Sequence, residues 1–134
     1  YSLLTRDIEE DLVPVCLANG VGVLPYFPLE SGLLSGKYRK GAPLPEGSRF
    51  ARWRGGGTFA SDARYAIVDR LAAYGESRGR TVLDLAIGWL AAQPAVTSVI
   101  AGVTRPEQLA QNVAAGSWEP GPEQLAAIRA IATA

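Results

Sequence analysis

Three stretches of this 134-residue chain hold side chains that could grip a ligand. The first is Ser31-x-x-x-x-Gly36-Lys37, a glycine loop ending in a cation. A nucleotide-triphosphate loop of the Walker type needs an earlier Gly and a Ser or Thr after the Lys. Tyr38 stands there instead, so the motif fails as such and is otherwise a generic glycine loop or a flexible connector. The second is Gly102-Val103-Thr104-Arg105-Pro106-Glu107-Gln108, where a β-branched run passes directly into a helix start. Unpaired backbone N–H groups at such a junction attract anions. Arg105 is unusual there, because Ser, Thr or Asp would cap better and a cation beside the positive dipole end is locally unfavourable. An anion between them would relieve that; a solvated loop Arg is the plainer alternative. The third is Tyr26, at the C-terminal end of an apolar run, where α/β folds place ligands and an aromatic can stack on a flat ring. Tyr26 could equally be a core or rim aromatic.

What is missing narrows the chemistry. The chain has no His, which removes imidazole bases, His metal ligands and a Ser-His-Asp triad. Cys16 is its one cysteine, so neither a disulfide framework nor a cysteine metal cluster is available. No metal site is therefore expected within it. Thirteen basic and thirteen acidic side chains balance to zero, against a general nucleic-acid binder. No apolar run nears the roughly 20 residues of a membrane span. The start, Tyr1-Ser2-Leu3-Leu4, does not resemble a signal peptide, and a cytoplasmic protein is expected.

The elements that must position these stretches follow from periodicity. A helix is predicted over Asp7–Ala18, acidic at its start, closed by Asn19-Gly20 and disturbed by Pro14. Val21–Tyr26 reads as a buried strand that loosens at Pro25. Phe27–Ala60 reads as a long loop, of a length that is usually functional or mobile. Between Lys37 and Arg54 it carries six cations against Glu46 alone, and it includes the triplet Gly55-Gly56-Gly57. A helix over Ser61–Arg78 has Ser61 as N-cap and a stripe of Ala63, Ile67, Leu71 and Tyr74. The clearest helix is Thr81–Gln93, with Thr81 and Asp84 resembling a capping box and Val82, Leu85, Ala86, Trp89 and Leu90 on one face. Val96–Ala101 reads as a second strand. A helix over Arg105–Ala115 has Pro106 first and Leu109 and Val113 as its buried stripe. Trp118–Gly121 is a turn, and Pro122–Ala134 a last helix carrying Leu125, Ile128 and Ile131. Trp53 and Trp118 are loop residues that the pattern does not place. Strands alternating with helices predict parallel βα units, and two parallel strands alone leave bare edges. The pattern thus calls for further strands, from this chain's missing part or from another chain.

The blocks VGVLPYFPLESGLLSGKY (21–38) and LAIGWLAAQPAVTSVIAGVTRPEQLAQNVAA (85–115) resemble the C-terminal part of an aldo-keto reductase. The likeness is greatest to bacterial reductases related to the potassium-channel β subunits. It covers nearly the whole chain, with the blocks in the right order and separation. The resemblance implies an α/β fold, the C-terminal part of a (β/α)8 TIM barrel, with Val21–Tyr26 as strand seven and Val96–Ala101 as strand eight. It implies hydride transfer between NADP(H) and an aldehyde or ketone, with the cofactor lying over the C-terminal strand ends.

By that resemblance Tyr26 packs on the nicotinamide. Phe27, Pro28, Leu29, Ser31, Gly32 and Leu33 run along the ribose and pyrophosphate. Gly36 and Lys37 meet the phosphates, and Arg49 closes over them. Gly102, Thr104 and Arg105 face the adenosine 2′-phosphate. Gln108, Gln111 and Asn112 hold the phosphate and adenine from one helical face, at i, i+3 and i+4. Gln111 stands where the family often has Glu. The family's catalytic Tyr, Lys, Asp and His belong to its N-terminal half and have no match here, and the Gln that holds the nicotinamide amide would precede Tyr1. The expectation is a C-terminal segment (1–134) of one barrel domain, inactive alone, whose parent reduces small carbonyl compounds. A regulatory NADPH-binding subunit, a truncated product without function, and a basic loop docking an acidic partner or nucleic acid are the alternatives. The carbonyl substrate, the direction of the reaction and the oligomeric state are left open.

Overall fold

The computed structural model describes residues 1–53 and 57–133 of the chain. Arg54, Gly55, Gly56 and Ala134 lie outside these, and with them most of the triple-glycine piece, one cation of the basic loop and the expected last residue of the final helix. Among the described residues the α-helices are α1 (Leu12–Ala18), α2 (Arg49–Arg52), α3 (Asp62–Glu76), α4 (Val82–Ala91), α5 (Pro106–Gly116) and α6 (Pro122–Thr133). Short 3-10 turns occupy Asp7–Glu9, Glu30–Ser35 and Gly57–Ala60.

The core is built around α4, as its composition requires. Val82, Leu83 and every residue from Leu85 to Leu90 are buried, so the helix is enclosed on nearly all sides. Its start is fixed by a complete capping box: the Asp84 amide donates to Thr81 Oγ1 at 3.1 Å, and the Thr81 amide donates to Asp84 Oδ2 at 2.8 Å. Packed around it are α3, α5, α6 and the 30–35 turn. Leu33, Leu34, Tyr38, Phe50, Leu71, Leu85, Trp89, Leu90 and Ile128 are fully enclosed in this core. Leu83, Ile87 and Ala115 form a smaller cluster between α4 and α5, against which Leu29 packs. Trp118 also finds its place. It covers Gly88, where a Cβ would collide with the indole, and Arg80 lies over its ring at 4.9 Å.

The two apolar segments run parallel and meet at two bridges, Val23 with Val96 and Tyr26 with Ile100. The Val23 amide donates to Ala95 O at 2.7 Å, Thr97 N donates to Val23 O at 3.0 Å, and Ile100 N donates to Pro25 O at 3.1 Å. Pro25 has no N–H, and here it serves only as an acceptor. Gly22 permits the approach, since a Cβ there would run into the Thr97 hydroxyl.

Several expectations are corrected. The helix over 7–18 is two pieces, because restarting at Leu12 puts Pro14 in the first turn, where an N–H has no partner to lose. The segments 21–26 and 96–101 are bridged extended chain, not full strands, and the first is not buried: Val21, Leu24 and Tyr26 are all more than half exposed. The 27–60 stretch is not a plain loop, since Leu33, Leu34, Tyr38 and Phe50 anchor it in the core. In α3 the buried stripe is Tyr65, Val68, Leu71 and Gly75; Ala63 is exposed, and Ile67 and Tyr74 are half-buried. In α5 the expected inner face is turned outward, with Leu109 and Val113 exposed, while Ala115 makes the contact to α4.

Candidate functional site

The Tyr26–Ile100 bridge brings the C-terminal ends of the two segments side by side. From that one edge the 27–37 loop leaves on one segment and the 102–105 loop on the other. Tyr26 is 71% exposed, so its ring faces open space and not the core. Phe27 stands edge-on to it at 6.0 Å and stacks on Phe59 at 6.0 Å. The Arg49 guanidinium lies over both Phe27 (5.6 Å) and Trp53 (5.4 Å). That position is set from below. Phe50 stacks flat on Tyr38 at 4.0 Å and donates its amide to the Tyr38 hydroxyl, while Ser48 caps α2. Arg49 is therefore held outward, over the aromatic cluster, as the residue beside an anchor.

The 27–37 loop is tightly wound. Phe27, Glu30 and Ser31 all have φ between 48° and 61°, a region that L residues rarely occupy. Pro28 and Leu33 are buried and Leu29 packs inward, so these residues can face a ligand with their main chain only. Ser31 is buried and its Oγ has no hydrogen-bond partner among the described residues. Gly32, at φ +95°, lets the Lys37 side chain pass close over its main chain, since a Cβ there would fall 2.9 Å from Lys37 Cε. Lys37 is exposed, with its ammonium 5.1 Å from the Tyr38 ring centre.

On the second loop Arg105 is the exposed N-cap residue of α5 and gives the helix no side-chain cap. Gln108 ties the loop to the helix instead, its Oε1 accepting from the Thr104 amide at 2.9 Å and the Thr104 hydroxyl at 3.2 Å. Gln111 is exposed and Asn112 half-buried. The candidates thus fall into three groups: Tyr26, Phe27 and Arg49; Ser31, Gly32 and Lys37; and Gly102, Thr104, Arg105 and Gln108 with Gln111 and Asn112. No side-chain hydrogen bond joins the two loops among the described residues.

Sequence reading missed the groups that brace the first loop. Glu30 is buried; it accepts from Arg64 Nη1 at 2.6 Å and from the Ser2 hydroxyl. Arg64 Nη2 also donates to Thr5 Oγ1 at 3.3 Å. The visible signal was a lone carboxylate in an apolar run; its partner, 34 residues on, was not readable. A second network ties the chain's start to its last helix. Arg129 donates twice to Glu9, at 2.7 and 2.9 Å, and the Tyr1 hydroxyl donates to Glu9 at 2.6 Å. Burial pushes the Glu9 carboxyl up, but the hydrogen bonds from Arg129 and Tyr1 outweigh it and hold Glu9 below the usual carboxylate range. Burial, with the bond to Glu9, pushes the Tyr1 phenol well above the usual tyrosine range.

A family model described as "Aldo/keto reductase family" matches residues 1–133. Curated relatives include a "Probable voltage-gated potassium channel subunit beta" of Arabidopsis thaliana, 36% identical over 123 residues, covering 86% of this chain and 36% of that protein. An "NADH-specific methylglyoxal reductase" of Escherichia coli (strain K12) is 35% identical over 119 residues, covering 86% of this chain and 35% of its own. Among solved structures, a glycerol dehydrogenase from Gluconobacter oxydans superposes with a TM-score of 0.78 at 25% identity, over 98% of this chain and 40% of that one. The chain spans about a third of the length of these curated relatives.

Proposed function

The chain belongs to the aldo/keto reductase family, and on that premise we propose that it is the cofactor-phosphate side of an NADP(H)-dependent carbonyl reductase. In this reading residues 1–134 are a C-terminal segment of one (β/α)8 barrel, with 21–26 and 96–101 as its seventh and eighth strands. The observation that carries it is the Tyr26–Ile100 bridge, which sets an open aromatic and an anion-seeking helix start on one edge.

The residues present suit a nicotinamide dinucleotide. Ser31 offers a buried hydroxyl without a partner among the described residues, and Gly32, having no Cβ, lets the Lys37 ammonium sit close to the loop main chain. Tyr26 would stack on the nicotinamide, while the main chain of Phe27, Pro28, Leu29 and Leu33 would line the ribose and pyrophosphate. Gly36, Lys37 and Arg49 would neutralise phosphate charge. Gly102, Thr104 and Arg105 would hold the 2′-phosphate, with Gln108, Gln111 and Asn112 beside the adenosine. Arg105 at the positive end of α5 then makes sense, because a phosphate satisfies both at once. The bound cofactor supplies the hydride; the chain supplies orientation and charge.

The proton donor would come from the rest of the barrel. The complete barrel should oxidise NADPH when given an aldehyde, and the 134-residue chain alone should not. Turnover by the short chain, or none by the barrel with any carbonyl, contradicts the reading. A regulatory NADPH-binding subunit is the second reading, favoured by relatives named as potassium channel β subunits; it predicts cofactor binding without appreciable turnover.

A further inference from the structure

The loop between Phe27 and Gly36 holds a buried carboxylate, Glu30. Glu30 is only 3% exposed, and its carboxylate is gripped on both oxygens: Arg64 Nη1 on Oε2 and the Ser2 hydroxyl on Oε1. Replacing such a buried pair with apolar groups of similar volume is often neutral or stabilising, so the pair calls for another reason. Its position offers one. Glu30 lies inside the run of left-handed residues, between Phe27 (φ 61°) and Ser31 (φ 59°), and itself has φ 48°. Conformations of this kind persist only where surrounding contacts over-determine them. Arg64 is the contact that does so from outside the loop. It comes from the first turn of α3, reaches Glu30 and Thr5 with separate nitrogens, and lies 5.7 Å over Phe59, the ring that stacks on Phe27. Ser2 adds the opposite brace, accepting the amides of Leu4 and Thr5 at 3.1 and 3.0 Å while donating to Glu30.

We propose that Glu30 and Arg64 are a positioning pair that holds the 27–32 main chain in its left-handed shape, so that the unpartnered Ser31 hydroxyl and the Gly32 main chain, with Lys37 close over it, face the dinucleotide. Neither residue touches the cofactor; they act through Phe27, Ser31 and Gly32. This rests on the reading of residues 26–37 as the cofactor loop. The pair sets how tightly the cofactor is held and leaves the chemical step alone.

The test uses the complete barrel with Glu30→Leu and Arg64→Met combined, which removes both charges and keeps the volume. Its unfolding midpoint should stay near that of the wild type. Its NADPH dissociation constant and KM should rise about tenfold, a loss that slight misplacement of a binding element can cause. The kcat at saturating NADPH and the KM for the carbonyl should not change. Arg64→Lys keeps the charge but loses the forked reach to Glu30 and Thr5. It should raise the NADPH KM by a smaller factor at an unchanged midpoint, and it stands in if the double variant does not fold. Variants that bind NADPH as the wild type does overturn the positioning role and leave the cofactor reading intact. An affinity loss that only follows a fall in midpoint also overturns it. A wild-type barrel that does not bind NADPH removes the cofactor reading and this proposal together.

Discussion

Two walls of the molecule, built from the same chain, are packed in opposite ways. The wall of α3, α4 and α6 closes over Leu71, Leu85, Trp89, Leu90 and Ile128, with no apolar surface to spare. The wall of α1, the paired segments and the outer face of α5 leaves Leu12, Val15, Leu24, Ile100, Leu109 and Val113 exposed. Large apolar side chains left open on several elements suit surfaces that another part of the protein covers. On the proposed reading the cover is the rest of the barrel. On that reading the closed wall sets the proposed cofactor loop on a rigid base through Leu33, Leu34 and Tyr38, and the catalytic half would pack on the open wall.

The contrast can be broken most forcefully at its packed end. Trp89→Ala should lower the unfolding free energy by about 3–5 kcal/mol, the range for emptying a large core site. A urea titration reads this, and a loss below 1 kcal/mol would mean that α4 is not the centre of the core. The open wall gives a sharper comparison. Val113→Ala should be within about 0.5 kcal/mol of neutral in the 134-residue chain, as exposed substitutions are. In the complete barrel it should cost about 1–2 kcal/mol, the worth of two buried methyl groups. Equal effects in both settings would show that nothing covers α5.

Smaller effects concern the edges. Thr81→Ala removes one half of the capping box of α4 and should cost about 1 kcal/mol by thermal or urea unfolding. The Glu9 network should show in the pH dependence. Its carboxyl is lower in the folded chain than in the unfolded one, so its stabilisation is present above the ordinary carboxylate range and fades as pH falls through it. The Tyr1 phenol is higher in the folded chain, so stability falls again as pH rises past the ordinary tyrosine range. Glu9→Gln should flatten the acid limb by less than about 1 kcal/mol, since Arg129 is nearly half exposed. An acid limb identical to wild type would show that the network contributes nothing there.

The difference between the walls also explains what was legible in the sequence. Wherever local rules and burial agree, the reading holds: Thr81 with Asp84, Ser61 as the N-cap of α3, Pro106 opening α5, and the buried face of α4. Periodicity reports which face is apolar, but not whether this chain covers it. For that reason Val21, Leu24, Leu109 and Val113 read as buried, and the structure leaves all four exposed. Long-range pairs leave no local trace. Glu30 meets Arg64 across 34 residues, and Glu9 meets Arg129 across 120. Within the candidate site, Tyr26 and the 102–105 loop could be placed at one end from the strand pattern. The inward turn of Leu33 could not, because it depends on packing around the loop.

The central claim, that this chain carries the phosphate side of a dinucleotide site, is tested most directly at Arg105. NADPH and NADH should be titrated against the complete barrel and its Arg105→Ala variant. The account predicts a loss of NADPH affinity of about tenfold or more, the worth of a charge-assisted contact to phosphate, with NADH little changed. An equal loss for both cofactors, or none for either, would contradict it.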